Sequence, residues 1–64
     1  MMTLQEAYEI FDLPEGADLQ KVRQCFIELH SEYRMQIDNA PTPNLRQRYE
    51  KNLALREVAY ASAF

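Results

Sequence analysis

The sequence predicts an all-α fold of three helices in a single domain that spans residues 1–64. Helix-breaking residues stand at only a few positions: the one glycine is Gly16, and the three prolines are Pro14, Pro41 and Pro43. These residues divide the chain into three uninterrupted segments. Within the segments, apolar residues recur at steps of three and four, the spacing of one face of an α-helix.

The first predicted helix begins after Thr3. Glu6 follows three residues later, and this spacing predicts a capping box in which each residue accepts a hydrogen bond from the other's backbone. Pro14 is expected to end the helix near Leu13. The apolar face of this helix is formed by Leu4, Tyr8 and Phe11.

The second predicted helix begins after Asp18, which is a favourable N-cap residue. We expect it to run to about Gln36, before a loop that contains two prolines. Its apolar residues form a continuous seam over four turns. They are Leu19, Val22, Phe26, Leu29 and Tyr33.

The third predicted helix begins after Asn44, with Gln47 as its reciprocal partner, and nothing interrupts it thereafter. Its apolar residues point in two directions, because Leu55 and Val58 lie well away from the main apolar face. A helix with two apolar sides implies two contacts, and a three-helix domain supplies one. The predicted core of the domain is Leu4, Tyr8, Phe11, Val22, Phe26, Leu29, Tyr33, Leu45, Tyr49 and Leu53.

The composition argues against several classes of site. Cys25 is the only cysteine, so no intramolecular disulfide can form, and one cysteine with one histidine cannot complete a tetrahedral zinc site. His30 has no convincing partner for acid–base catalysis. We therefore expect no catalytic residues, no metal and no cofactor. No apolar run approaches the roughly 20 residues that span a bilayer, and we expect a soluble, cytoplasmic protein.

The net charge of −3 is unevenly distributed. Residues 1–18, which include the first helix, have five carboxylates and no basic side chain: Glu6, Glu9, Asp12, Glu15 and Asp18. This acidic element suits packing against the more basic later helices. It does not suit nucleic acid, for which a dense basic face is expected.

A family resemblance comes from the stretch "AYEIFDLPEGADLQKVRQCFIELHSEY", residues 7–33. It resembles the J-domain, whose first helix reads roughly "Y-x-I-L-G-(L/V)" and whose second reads roughly "I-(R/K)-x-(A)-(Y/F)-x-x-L-x-x-x-(Y/F)". The matching residues are Tyr8, Ile10, Leu13, Val22, Arg23, Cys25, Phe26, Leu29 and Tyr33. The resemblance implies that helices two and three form an antiparallel hairpin, with the first helix packed across them.

The resemblance also implies a lost activity. In the family, the tyrosine that ends the second helix is followed by His-Pro-Asp, which is needed to stimulate ATP hydrolysis by the partner heat-shock chaperone. Here Arg34, Met35 and Gln36 occupy those positions, and none is chemically similar to the residue it replaces. Ile27 stands where the family commonly has a basic residue. The chain therefore resembles a degenerate J-domain.

The function predicted from these features is that of a non-enzymatic adaptor or scaffold that binds other proteins. The candidate interface comprises Ile27, Leu55 and Val58, and the partner is another protein or a second copy of the chain. A J-protein or a heat-shock chaperone is one such partner. Two alternatives stay open: a co-chaperone that acts through other residues or regulates a J-protein and chaperone pair, and a nucleic-acid regulator. The basic residues for the last alternative are Arg46, Arg48, Lys51 and Arg56.

Overall fold

The computed structural model describes residues 2–64 and contains three helices, as the sequence predicts. Helix α1 spans Leu4–Ile10, α2 spans Leu19–Asp38 and α3 spans Pro43–Ala63. Across residues 2–64 there is no β-strand, so the all-α prediction is confirmed.

Two of the three predicted helix starts are confirmed. The Thr3 hydroxyl accepts a hydrogen bond from the Glu6 backbone N–H at 3.2 Å, and the Glu6 carboxylate accepts one from the Thr3 N–H at 3.4 Å. At the start of α2, the Asp18 carboxylate accepts a hydrogen bond from the Gln20 N–H at 3.2 Å. Each of these caps satisfies backbone donors that have no partner inside the helix.

The predicted start of α3 is wrong. The N-cap is Thr42 rather than Asn44, and its hydroxyl accepts a hydrogen bond from the Leu45 N–H at 3.2 Å. Pro43 occupies the first turn. The fixed backbone angle of proline is already helical and its missing N–H costs nothing at that position, which explains why the helix begins two residues early.

Helix α1 ends at Ile10, three residues before the predicted Leu13, because the chain turns at Asp12. Asp12 has a φ of 56°, in the left-handed region. Its N–H donates to the Glu9 carbonyl at 3.0 Å, and the Leu13 N–H donates to the Tyr8 carbonyl at 3.0 Å. This pair of bonds is a Schellman motif, which closes the helix before the proline is reached.

Helices α2 and α3 pack side by side in opposite directions. Near the start of α2, the Phe26 ring stacks on the Tyr60 ring, late in α3, with centroids 4.3 Å apart and planes 13° apart. Near the end of α2, the Tyr33 ring lies 5.2 Å below the guanidinium carbon of Arg56, which is earlier in α3. Later residues of one helix therefore meet earlier residues of the other, so the hairpin is antiparallel.

Helix α1 lies against the C-terminal end of α3. The Phe64 ring meets the Tyr8 ring edge-on at 5.2 Å, and meets the Phe11 ring at 6.1 Å. Phe11 also contacts the Phe26 ring of α2 at 6.3 Å. One buried cluster joins the elements at this end, and its members are Ala7, Tyr8, Phe11, Val22 and Ala59.

The prediction of burial is wrong for two residues of the apolar faces. Leu4 and Leu19 are both more than half exposed, so neither belongs to the core. Each is the first residue of its helix, where no neighbouring element covers the side chain. The remaining predicted core residues are buried or half-buried.

The molecule is more extended than a compact protein of its size. Its dimensions are 37 × 23 × 16 Å and its radius of gyration is 12.4 Å. A compact chain of this length has a radius of gyration of about 11 Å. The short helix α1 covers one end of the hairpin, so much of the hairpin is only two helices wide.

Candidate interaction surface

Arg34, Met35 and Gln36, the residues that the J-domain resemblance aligns with His-Pro-Asp, are helical. Helix α2 continues through Arg34, Met35 and Gln36 to Asp38, two residues beyond the predicted end, and all three side chains are exposed. The Met35 carbonyl accepts hydrogen bonds from the Asn39 backbone N–H at 3.1 Å and from its side-chain amide at 2.9 Å. The stretch therefore forms the capped end of α2 and presents the Met35 side chain, 62% exposed, to solvent.

The side of α3 turned away from α2 carries apolar residues, as predicted. Leu55 is 45% exposed and Val58 is 54% exposed. At about 100° per residue, they lie some 140–160° around the helix axis from Tyr60, which faces α2. Exposed residues at steps of four, three and four define what we call the outer face of α3: Lys51, Leu55, Val58 and Ser62.

Ile27 does not join this outer face. It is 58% exposed on α2, one residue beyond Phe26, and the outer face of α3 points away from α2. Ile27 instead borders an open depression of about 300 Å³ that is otherwise lined by Gln20, Arg23 and Gln24. The three residues of the predicted interface are therefore exposed, but they belong to two separate surfaces.

Arg56 is a cation among the apolar residues of α3, and its contacts explain this position. Its guanidinium lies over the Tyr33 ring, and its Nη1 donates to the Asn52 carbonyl at 3.0 Å. Its Nε is buried and has no hydrogen-bond partner within the described residues. The aliphatic stem and the guanidinium therefore cover the aromatic ring in the part of the hairpin that α1 does not reach.

His30 is half-buried at the edge of the core. Its ring lies 5.9 Å from the Phe26 ring, at a tilt of 52°. This contact gives the imidazole a packing role beside the α2–α3 interface. Within residues 2–64, no group of three His, Cys, Asp or Glu side chains could hold a metal ion.

Cys25 is a half-buried free thiol. Its Sγ donates a weak hydrogen bond to the Phe11 carbonyl at 3.7 Å. Burial raises the pKa of this thiol above its ordinary value, and the nearby carboxylates of Glu28, Asp12 and Glu32 raise the pKa further. A raised pKa keeps the thiol neutral near pH 7, where the reactive thiolate is scarce.

Comparison with known protein families, with curated proteins and with solved structures gave no match to this chain. The resemblance of residues 7–33 to the J-domain therefore stays a prediction. In residues 2–64, none of the helices combines the length and the apolar character needed to cross a membrane.

Proposed function

We propose that this chain is a non-enzymatic protein–protein interaction module, an adaptor or scaffold with a J-domain-like fold that no longer stimulates a heat-shock chaperone ATPase. The observation that carries this proposal is the outer face of α3. Two branched apolar side chains, Leu55 and Val58, stand there one turn apart and about half exposed, although the core is on the other side of the helix.

The energetics favour burial of this face against another protein. Full burial of a leucine or valine side chain is worth about 1.5–3 kcal/mol, so covering the exposed half of both residues gains about 2 kcal/mol. Single exposed apolar residues are ordinary on protein surfaces. Here Ala54 and Ala61, which are also exposed, flank the pair, and their small side chains allow a partner helix to approach closely.

The backbone at the tripeptide positions supports the loss of chaperone stimulation. A proline at position 35 would remove a helical hydrogen bond and clash with the preceding turn, at a cost of about 3 kcal/mol. Met35 lets α2 continue, and its carbonyl forms part of the helix cap. Met35 is therefore compatible with a continuous α2, whereas a proline at this position is not.

The placement of the basic residues favours a protein partner over nucleic acid. Arg48 and Lys51, three residues apart, share one side of α3, whereas Arg46 lies about 160° around the helix axis from Arg48. Arg56 is half-buried over Tyr33. The four cations therefore form no continuous basic stripe, which phosphate contacts require.

Crosslinked affinity capture from native cell extract tests the proposal, with partners identified by mass spectrometry. The wild type is compared with Leu55→Lys and with Gln24→Lys, a control that adds the same charge at an exposed residue of α2. We expect partners that Leu55→Lys loses and Gln24→Lys retains. An identical set of captured proteins for all three chains would show that the outer face of α3 is not the binding surface.

A second assay tests the lost activity. Addition of the chain to a heat-shock chaperone should leave ATP turnover unchanged, whereas an authentic J-domain accelerates it in the same assay. Stimulation that Arg34→Ala abolishes would instead establish a co-chaperone that acts through other residues. Capture of a J-protein or chaperone would assign the module to that cycle, and capture of an unrelated assembly would make it a structural adaptor.

A further inference from the structure

The chain has more surface than a compact monomer of its mass. Its accessible surface is 4884 Å² at 7.6 kDa. Compact monomers of this mass expose about 4,300 Å². The surplus of about 600 Å² is close to what each partner contributes to the smallest stable protein–protein interfaces, which bury about 1,200 Å² in total.

The charges are separated along the molecule. Two of the five carboxylates, Glu6 and Glu9, lie on α1, which packs against the last turn of α3. The other three, Asp12, Glu15 and Asp18, lie in the segment between α1 and α2. Arg48 and Lys51 lie in the first half of α3. At 1.5 Å per residue, Lys51 is about 20 Å from Phe64 along the helix. The end of the molecule where α1 meets α3 is therefore net acidic, even with Lys21 and Arg23 at the start of α2. The first half of α3 is net basic, with Arg46, Arg48 and Lys51 against Glu50.

From these two observations, we propose that the outer face of α3 binds a second copy of this chain, in a symmetric antiparallel pair of α3 helices. The inference rests on the proposed function, in which this face is the interaction surface. A two-fold axis between Leu55 and Val58 places each Leu55 against the Val58 of the other copy, and symmetry makes the contact twice.

The antiparallel arrangement also matches the charges at both ends. Lys51 lies four residues before Leu55, and Ser62 lies four residues after Val58, so these two residues face each other across the pair. Arg48, one turn earlier, then extends beyond the end of the partner's α3 to where the partner's acidic α1 packs. A parallel pair would bring the basic ends together and the acidic ends together, which like-charge repulsion opposes.

Sedimentation equilibrium of the whole chain tests the inference. The wild type should reach twice the mass of 7.6 kDa as its concentration rises. A lysine at the centre of the contact should raise the dissociation constant at least ~100-fold, so Leu55→Lys and Val58→Lys should stay monomeric. Ile27→Lys, on the other exposed surface, should associate like the wild type. Circular dichroism should show that all these variants remain helical.

Separate variants test the contribution of charge and the antiparallel register of the proposed pair. Arg48→Glu should weaken association about tenfold, whereas Arg46→Glu, on the side of α3 toward α2, should change it less than about twofold. In a Cys25→Ala background, a mixture of the Lys51→Cys and Ser62→Cys chains should crosslink between the two species. Crosslinks that join Lys51→Cys only to itself would establish a parallel pair and overturn the proposed arrangement.

The outcomes separate this inference from the proposed function. A wild type that stays monomeric at every concentration overturns the dimer. If Leu55→Lys nevertheless loses a captured partner, the outer face binds a different protein and the proposed function stands. If Leu55→Lys neither changes the mass nor loses a partner, both proposals fail.

Discussion

Phe26 is the residue whose removal tests the packing of the hairpin most directly. Its ring stacks on Tyr60 at 4.3 Å and meets the edge of Phe11 at 6.3 Å, so it joins α2, α3 and the segment after α1. Truncation of a buried phenylalanine to alanine costs about 3–5 kcal/mol. Because Phe26 is only half-buried, we expect Phe26→Ala to cost about 3 kcal/mol.

That loss is a large share of the domain's free energy of unfolding. At roughly 0.05–0.15 kcal/mol per residue, a domain of this length has a free energy of unfolding of about 3–10 kcal/mol. A loss of 3 kcal/mol should therefore lower the melting temperature by more than about 10 °C. A Tyr60→Ala double-mutant cycle should give a coupling energy of about 0.5–1.5 kcal/mol for the stacked pair.

The assay is thermal and urea unfolding followed by circular dichroism. It is best run in the Leu55→Lys background, because association would otherwise make the melting temperature depend on concentration. Ile27→Ala is the matched control: it is the adjacent residue, it is exposed, and its truncation should change stability by less than about 0.5 kcal/mol. Equal melting temperatures for Phe26→Ala and the unmodified chain would refute the packing described for the hairpin.

Three further predictions address other elements. Asp12→Gly should raise the free energy of unfolding by about 0.5–1 kcal/mol, because Asp12 has a positive φ that glycine adopts without strain; urea unfolding against Asp12→Val, which should be destabilised, checks this. Met35→Pro should destabilise the chain by about 3 kcal/mol and reduce its helical ellipticity, and unchanged ellipticity would contradict the continuous α2. The raised pKa of Cys25 should make stability fall as the pH rises above about 8.5, the ordinary thiol pKa, and through the higher folded-state value. Urea unfolding at several pH values should show a flatter alkaline profile for Cys25→Ala than for the wild type.

Local signals in the sequence predict the helices well where a single residue decides the outcome. Thr3 with Glu6 and Asp18 were sufficient to locate two helix starts, because capping depends on side chains within three residues. The third start was predicted at Asn44, and Pro43 in the first turn explains why the cap is Thr42 instead. The end of α1 escaped prediction because an aspartate in the left-handed region is much rarer than a glycine.

The burial of a residue was harder to predict than the helix face on which it lies. Apolar spacing shows which face a residue is on, but only the neighbouring element decides whether that face is covered. Leu4 and Leu19 lie on apolar faces and remain exposed because the faces extend beyond their neighbours. Ala7 and Ala59 are fully buried, and nothing in their residue type distinguishes them from the exposed alanines. Leu55 and Val58, in contrast, could be predicted as exposed, because a helical wheel places them away from the main apolar face of α3.

The lengths of the three helices explain why part of the hairpin is uncovered. Helices α2 and α3 have 20 and 21 residues, whereas α1 has only 7. At 1.5 Å per residue, a helix of about 10 Å covers one end of a hairpin about 30 Å long. The hairpin extends beyond the reach of α1, and there a guanidinium rather than a third helix covers Tyr33. Met35 lets α2 continue past Tyr33 to Asp38. Part of this hairpin therefore lacks a third layer, and a partner that covers it would stabilise the fold.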